Sequence, residues 1–185
     1  MKKALVVLAD GFEDIEAVAP IDILTRSGVQ VTIAGLTSAP VRAAYGTKLV
    51  PDVAIASIRD IYDCIVFPGG RKNAESLAGS AVVIGMAQSH FEDGKIVAAI
   101  CAAPSHVLGE AAGLLKGKRA TGDPGFNDRL AAAGAIVTNE QVTVDGSIVT
   151  GMGPGAAMLF GLMLAEKLAG RETADQFAAR WSIQR

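Results

Sequence analysis

Short apolar runs alternate along this chain with helical and turn-forming segments. The first run, residues 4–9, is continuous and rich in β-branched side chains, as is typical of a strand buried on both faces. Residues 13–27 carry apolar positions at helical spacing and stop at Gly28, and a second apolar run follows at 29–34. This order predicts a strand–helix–strand unit and therefore a parallel sheet.

The same pattern continues to the end of the chain. An Asp-Gly pair at 145–146, between two alternating runs, predicts a tight turn between two strands. We predict a hairpin within 41–51, strands at 63–67, 95–100 and 136–137, and helices at 80–92, from Pro104, at 126–133 and from about 155 to 168. Because no linker or internal repeat divides the chain, residues 1–185 are expected to form one doubly wound α/β sandwich.

Composition narrows the class of protein. The chain has 185 residues, half of them apolar, with a formal net charge of −2, which favours neither disorder nor a nucleic-acid-binding surface. Two cysteines in a chain of this length indicate a reducing compartment rather than a disulfide framework. The apolar run near the start is too short for a signal peptide or a membrane span. We therefore expect a cytoplasmic protein without a membrane or nucleic-acid partner.

The run at 95–100 ends in Cys101, and Pro104 follows two alanines later. Proline suits the first turn of a helix, so the cysteine is expected at a sharp strand-to-helix corner, the geometry of a nucleophile elbow. A thiol there lies near the positive end of a helix dipole, which favours the thiolate. The alternative is a small buried cysteine that only fills space.

Three loops are expected at the edge of the sheet where the parallel strands end. One holds the acids of residues 10–16, one holds Gly69 and Gly70, and one holds Cys101. These groups suit attack by a thiolate on a carbonyl, with the N–H groups of Gly70 and Ala102 holding the oxyanion. Glu16 lies deeper in its helix than Glu13 or Asp14 and is a candidate for a protonated carboxyl that donates to the sulfur.

Four motifs in this order carry a resemblance to a known family. They are ALVVLADGFEDIE at 4–16, FPGG at 67–70, AICAAP at 99–104 and GPG at 153–155. Together they resemble the ThiJ/PfpI superfamily, most closely the branch of the parkinsonism-associated protein deglycase and its bacterial relatives. The resemblance implies a flavodoxin-like three-layer sandwich and a homodimer.

The resemblance also implies roles for individual residues. Cys101 would be the oxidisable nucleophile, Glu16 the protonated carboxyl hydrogen-bonded to it, and Gly70 and Ala102 the oxyanion amides. The substrate would be held by Gly69, Arg26 and Asp123.

The chain departs from the family pattern at three positions. Asp123 stands where the family has a histidine, so a Cys–His pair through that loop is absent. Met152 replaces an arginine of an anion site, whereas Arg26 is retained. Ala102 follows the nucleophile where peptidase relatives carry a histidine, which argues against protease activity.

The remaining candidates are expected to be structural. His106 is predicted to be a helix-surface or packing residue, and His90 a solvated helix end. Cys64 is expected in the core, and the glycine-rich stretch 151–155 lacks the spacing of a nucleotide-binding loop. With two histidines and no Cys-x-x-Cys, neither a metal nor a cofactor is expected.

Two functional classes fit these residues. The first is a cofactor-independent cysteine enzyme acting on reactive dicarbonyls, either a glutathione-independent glyoxalase or a protein or nucleotide deglycase. The second is an oxidative-stress sensor or chaperone that works through oxidation of Cys101. The convergence of glycine turn, carboxyl and thiol favours the enzyme, because a sensor needs no oxyanion hole.

Overall fold

A mostly parallel sheet forms the middle layer of the protein in the computed structural model, which describes residues 1–184. The strands are β1 (Lys3–Leu8), β2 (Gln30–Gly35), β3 (Val41–Arg42), β4 (Lys48–Leu49), β5 (Val53–Ala54), β6 (Cys64–Phe67), β7 (Ile96–Ile100), β8 (Arg119–Ala120), β9 (Ile136–Val137), β10 (Val142–Asp145) and β11 (Ile148–Gly151). Seven of them make the central sheet in the order β10-β11-β7-β6-β1-β2-β5, in which the β10–β11 pair alone is antiparallel. The pairs β3–β4 and β8–β9 stand apart from it.

Helices cover both faces of this sheet. The α-helices are α1 (Asp14–Arg26), α2 (Arg71–Ala78), α3 (Ala81–Glu92), α4 (Asn127–Ala132), α5 (Ala157–Ala169) and α6 (Arg171–Arg180), and Pro104–Ala111 forms a π-helix. Short 3₁₀ turns lie at Ile55–Ser57, Pro124–Phe126 and Pro154–Ala156. Helices α1, α5 and α6 pack on one face, and α2, α3, α4 and the π-helix pack on the other.

The apolar runs explain this three-layer arrangement. Side chains of a strand point alternately to the two faces of its sheet. In β1, Val6 and Leu8 contribute to one apolar core while Leu5 and Val7 contribute to the other, and all four are fully buried. A strand covered on both faces must be apolar at every position. The predicted flavodoxin-like sandwich is therefore confirmed.

Some elements differ from the prediction. Helices α2 and α6 were not predicted, because their sequences are mostly polar and bury only a few residues each. The helix that begins at Pro104 is a π-helix rather than an α-helix. The predicted start near Ser80 is confirmed, since its side chain accepts a hydrogen bond from Val83 N and caps α3. None of the helices within residues 1–184 is long and apolar enough to cross a membrane.

Candidate functional site

Cys101 lies at the end of β7 where the chain turns into the π-helix. Its φ of 64° is in the left-handed region, which residues other than glycine rarely adopt. Hydrogen bonds fix the corner on both sides: Cys101 N–H donates to Gly151 O at 2.9 Å, and Cys101 C=O accepts from Asp123 N–H at 2.9 Å. The backbone of the half-buried Cys101 is thus held in a strained conformation.

The Gly69-Gly70 turn after β6 packs directly against this corner. A Cβ at Gly69 would lie 2.6 Å from the Cys101 Cβ, so any larger residue would displace the nucleophile. Gly70 has a φ of 82° and directs its N–H towards the Cys101 sulfur, where it favours negative charge. Gly69 is therefore required by the approach of the turn to the thiol, and Gly70 by its positive φ and by its close contact with the backbone of the loop after β1.

Asn73, in the first turn of α2, anchors the glycine turn. This fully buried side chain donates to Pro68 O at 2.7 Å and to Gly69 O at 3.1 Å, and its Oδ1 accepts from Ala9 N–H at 2.7 Å. It thereby joins the ends of β1 and β6. Asn73 was not predicted, because nothing in a polar helical segment marks an asparagine whose partners lie in distant strands.

Glu16 enters the site from the first turn of α1 and is fully buried. Its Oε2 accepts from Gly69 N–H at 2.9 Å, while Oε1 is buried without a well-aligned hydrogen bond. Burial raises the pKa of this carboxyl to about 7, and the neighbouring Cys101 thiol interacts with it. A carboxyl that retains its proton near neutral pH has a hydrogen to donate to a sulfur anion.

The thiol itself is less acidic than the helix dipole suggests. Burial raises the pKa of Cys101, and the charge of an ionised Glu16 raises it further. Glu16 also resists ionisation, and ionisation of either group disfavours ionisation of the other. The thiolate is therefore accessible when Glu16 holds the proton and removes its own charge from the vicinity of the sulfur.

Asp123 is positioned on the other side of the sulfur. Its Oδ1 accepts from Gly125 N–H at 2.8 Å, which caps the 3₁₀ turn, and its Oδ2 lies 3.8 Å from Cys101 Sγ. The loop thus places a carboxyl group beside the Cys101 thiol.

Arg26 was also predicted to belong to the site, but it lies far from the Cys101 thiol of its own chain. It lies in the last turn of α1, about 15 Å along the helix axis from Glu16 at ~1.5 Å per residue. There it pairs with Asp22 at 2.8 Å and lies over the Trp181 ring.

Ala102, in contrast, follows the nucleophile directly and is buried. Its carbonyl accepts from the Ser105 hydroxyl at 3.0 Å and lies 2.8 Å from His106 Nδ1. His106 Nε2 lies 2.5 Å from Arg129 Nη1, and since arginine can only donate, Nδ1 carries the ring hydrogen and donates to Ala102 O. His106 is therefore a packing residue that supports the corner. Of the two predicted alternatives, a helix-surface residue and a packing residue, the structure shows the second.

His90 does not lie at a solvated helix end, and that expectation was wrong. Only 1% of its surface is exposed. Its Nδ1 donates to Met86 O at 2.7 Å and its Nε2 accepts from Tyr62 N–H at 3.1 Å. The ring therefore ties α3 to the loop before β6, and burial lowers its pKa.

The other acids of the first loop have a structural role. Asp10 Oδ1 accepts from Arg42 N–H at 2.9 Å, and Asp14 accepts from Tyr45 N–H at 3.1 Å and Thr47 N–H at 3.3 Å. These bonds hold the β3–β4 hairpin against the loop. Hydrogen bonds lower the pKa of Asp14, and the bond with the Thr47 side chain has the largest effect.

Cys64 lies in the core, as predicted. It is fully buried in β6, and burial raises the pKa of its thiol. No group of three or more histidine, cysteine, aspartate or glutamate side chains is arranged to hold a metal ion within residues 1–184.

Comparison with known proteins identifies relatives of the whole domain. The model of the DJ-1/PfpI family matches residues 2–167. Protein DJ-1 homolog A of Arabidopsis thaliana is 42% identical over 96% of this chain, which spans about half (46%) of that protein's length. The glutathione-independent glyoxalase DJR-1.2 of Caenorhabditis elegans is 33% identical over 92% of this chain and 91% of its own.

The fold also matches a solved relative throughout. The structure of Toxoplasma gondii DJ-1 in an oxidized form superposes with a TM-score of 0.93 at 37% sequence identity, covering 100% of both chains. The two chains therefore share the complete layered architecture, including the edge at which Cys101 lies.

Proposed function

Because this chain belongs to the DJ-1/PfpI family, we propose that it is a cofactor-independent enzyme that converts reactive dicarbonyls such as methylglyoxal to hydroxy acids. The observation that carries the proposal is the buried Glu16 carboxyl, which lies next to the Cys101 thiol and whose pKa burial raises to about 7. The name of the nematode relative, a glutathione-independent glyoxalase, supports the same reaction class.

The first step is addition of the thiolate to the aldehyde. The Cys101 sulfur forms a bond to the aldehyde carbon, and the carbonyl π electrons move to oxygen. The N–H groups of Gly70 and Ala102 are suited to hold this oxyanion, because they flank the thiol on the glycine turn and at the start of the π-helix. Glu16 gives its proton to the oxyanion, which yields a hemithioacetal and leaves Glu16 as a carboxylate.

Glu16 then moves one proton between neighbouring carbons. As a carboxylate it takes the hydrogen of the former aldehyde carbon as a proton, and as a carboxylic acid it returns a proton to the former ketone carbon, while the hydroxyl proton passes from the oxygen of the first carbon to that of the second. The first carbon is thereby oxidised to a thioester and the second reduced to an alcohol. Water then cleaves the thioester to lactate and free thiol. No external oxidant is needed, because the two changes balance.

Deglycation of early protein or nucleotide adducts would follow the same steps on a bulkier carbonyl. The half-buried Cys101, beside an open cleft rather than within a closed cavity, is compatible with such substrates.

The test is lactate formation from methylglyoxal without glutathione, comparing the unmodified protein with Cys101→Ser and Cys64→Ser. Enzyme concentration is varied so that stoichiometric scavenging is distinguished from turnover. We expect many turnovers per protein molecule, retained in Cys64→Ser and lost in Cys101→Ser. Absence of turnover in the unmodified protein contradicts the proposal.

The second candidate is a redox sensor or chaperone that works through Cys101. It is favoured by one observation, the oxidized form of the Toxoplasma relative. Sulfenic or sulfinic acid formation would require peroxide as the oxidant, with the Cys101 sulfur oxidised and peroxide reduced to water. Stoichiometric oxidation of Cys101 by low peroxide, together with no methylglyoxal turnover, would favour this class over the enzyme.

We further propose that two copies pair through α1. Ile15 and Val18 are 53% and 44% exposed on this helix, and with Met158 they line a shallow, mostly apolar depression. Exposed apolar residues grouped on one helix face are typical of an interface. Val18→Asp should convert the dimer to a monomer in sedimentation equilibrium, and a monomeric unmodified protein would contradict the proposal.

A further inference from the structure

A cleft of about 340 Å³ opens beside Asp123. Asp123 is the charged member of its lining, and the other lining residues are neutral: Pro124, Gln141, Met152, Gly153, Pro154, Gly155 and Ala156. Because Asp123 Oδ2 also lies 3.8 Å from Cys101 Sγ, this residue connects the cleft to the nucleophile.

Asp123 is fixed in place from two directions. Its backbone N–H donates to Cys101 C=O at 2.9 Å, and its Oδ1 accepts from Gly125 N–H at 2.8 Å. The side chain therefore cannot turn away from the sulfur without losing its cap. Its Oδ2 is therefore held 3.8 Å from Cys101 Sγ.

Within residues 1–184, carboxyl groups dominate the charge around the sulfur. The ionisable side chains that act most strongly on Glu16 are Cys101 and two acids, Glu13 and Asp123. Arg71, which follows the glycine turn, is directed along its own helix to Glu75 at 3.1 Å. A second negative charge brought to the sulfur would thus be repelled.

We propose that Asp123 makes the site selective for carbonyl substrates that are neutral or positively charged, and against those with a carboxylate next to the carbonyl. This inference rests on the proposed function. A reacting carbonyl carbon must approach the sulfur to about 3–3.5 Å, so its substituent comes within a few ångströms of Oδ2. At such distances, with little intervening water, like charges repel strongly.

The test uses two alkylating reagents of nearly equal size, neutral iodoacetamide and anionic iodoacetate. Each forms a bond from the Cys101 sulfur to its methylene carbon and releases iodide. Both reagents react with the same thiolate, so the ratio of their rates does not depend on how much thiolate each variant contains. We expect the preference for iodoacetamide to fall about tenfold in Asp123→Asn, because the asparagine retains the cap but not the charge.

Asp60→Asn is the matched control. Asp60 is exposed in the loop before β6, at the opposite edge of the sheet, so the same change of charge there should leave the ratio unchanged. An Asp123→Asn ratio equal to that of the unmodified protein overturns the inference. Far-ultraviolet circular dichroism and thermal melting establish that both variants are folded.

The second measurement compares methylglyoxal with 2,3-dioxopropanoate, the anionic dicarbonyl in which a carboxylate replaces the methyl group and which the same steps would convert to a hydroxy diacid. We expect Asp123→Asn to raise kcat/KM for 2,3-dioxopropanoate relative to that for methylglyoxal by about tenfold. Turnover of both substrates with an unchanged ratio would overturn the role of Asp123 and leave the proposed function intact. If the unmodified protein turns over neither, the proposed function fails, while the alkylation ratio still tests the charge selectivity.

Discussion

The two cysteines lie on neighbouring strands of one sheet but in opposite environments. Cys64 begins β6 and is fully buried among apolar side chains, whereas Cys101 follows the end of β7 and is half-buried beside Glu16, Gly70 and Asp123. In parallel strands the loops at the carboxyl edge carry the polar groups. The position of a thiol along its strand therefore decides whether it is a packing atom or a candidate nucleophile.

Chemical modification should show the largest difference between the two. We expect iodoacetamide to alkylate Cys101 in the folded protein at least about a thousand times faster than Cys64, which becomes accessible only when the sheet opens. Peptide mapping by mass spectrometry after timed quenching measures both rates. Comparable rates in the folded protein would show that burial does not separate the two thiols.

Removal of the Glu16 carboxyl next to Cys101 should make the Cys101 thiol less active, and so more like that of Cys64. We expect Glu16→Gln to lower kcat for methylglyoxal about a hundredfold, because glutamine cannot transfer the proton. The pH–rate profile should lose its midpoint near pH 7, at which the pair releases its first proton.

Glu13→Gln is the matched control for that variant. This half-buried neighbour carries the same charge but does not contact the sulfur in the described hydrogen bonds, and its loss should change kcat less than about threefold. Equal losses in the two variants would indicate a general charge effect rather than proton transfer.

The buried Glu16 also makes folding pH-dependent. Its folded pKa of about 7 exceeds the ordinary value of 4.5, so the folded state binds the proton more tightly than the unfolded state. This contribution is complete below pH 4.5 and is lost as pH rises to about 7, with a change of about 3 kcal/mol in the free energy of unfolding. Urea titrations at pH 5 and pH 8 should show this decrease in the unmodified protein relative to Glu16→Gln. A pH dependence equal in both would contradict the assignment.

The smallest expected effect is the difference in stability between glycine and alanine variants, which should have opposite signs at the two cysteines. At Cys101, whose φ is 64°, the glycine variant should be more stable than the alanine variant by about 1 kcal/mol. At Cys64, inside a strand, alanine should be the more stable of the two by a similar amount. Urea denaturation of the four variants measures both differences. Alanine preferred at both positions would mean that the corner is not strained.

Much of this site can be predicted because its signals are local. The apolar run before Cys101, the proline after it and the paired glycines each restrict the backbone within a few residues. Their order also places them at one edge of a parallel sheet. Glu16 was found in the same way, as the acid one turn inside a helix that begins at that edge.

What could not be predicted depends on contacts between distant segments. Asn73 joins two strands, and His90 reaches a loop before β6, so neither environment is written in the neighbouring residues. The sequence likewise does not show that burial outweighs the helix dipole at Cys101, since that depends on how the glycine turn covers the thiol. Arg26 lies at the far end of α1 from Glu16, so the length of this helix separates Arg26 from the thiol of its own chain.

The capping bond from Gly125 N–H to Asp123 has a consequence for how members of this family could diversify. The bond requires only a short side chain with an oxygen acceptor, which asparagine or serine also supplies. The loop can therefore exchange an acid for a neutral residue without changing its path. If Asp123 has the proposed role, a single codon change at this position would alter which carbonyl substrates are accepted while the scaffold and the Cys101 thiol stay as they are, so that substrate preference can evolve separately from folding.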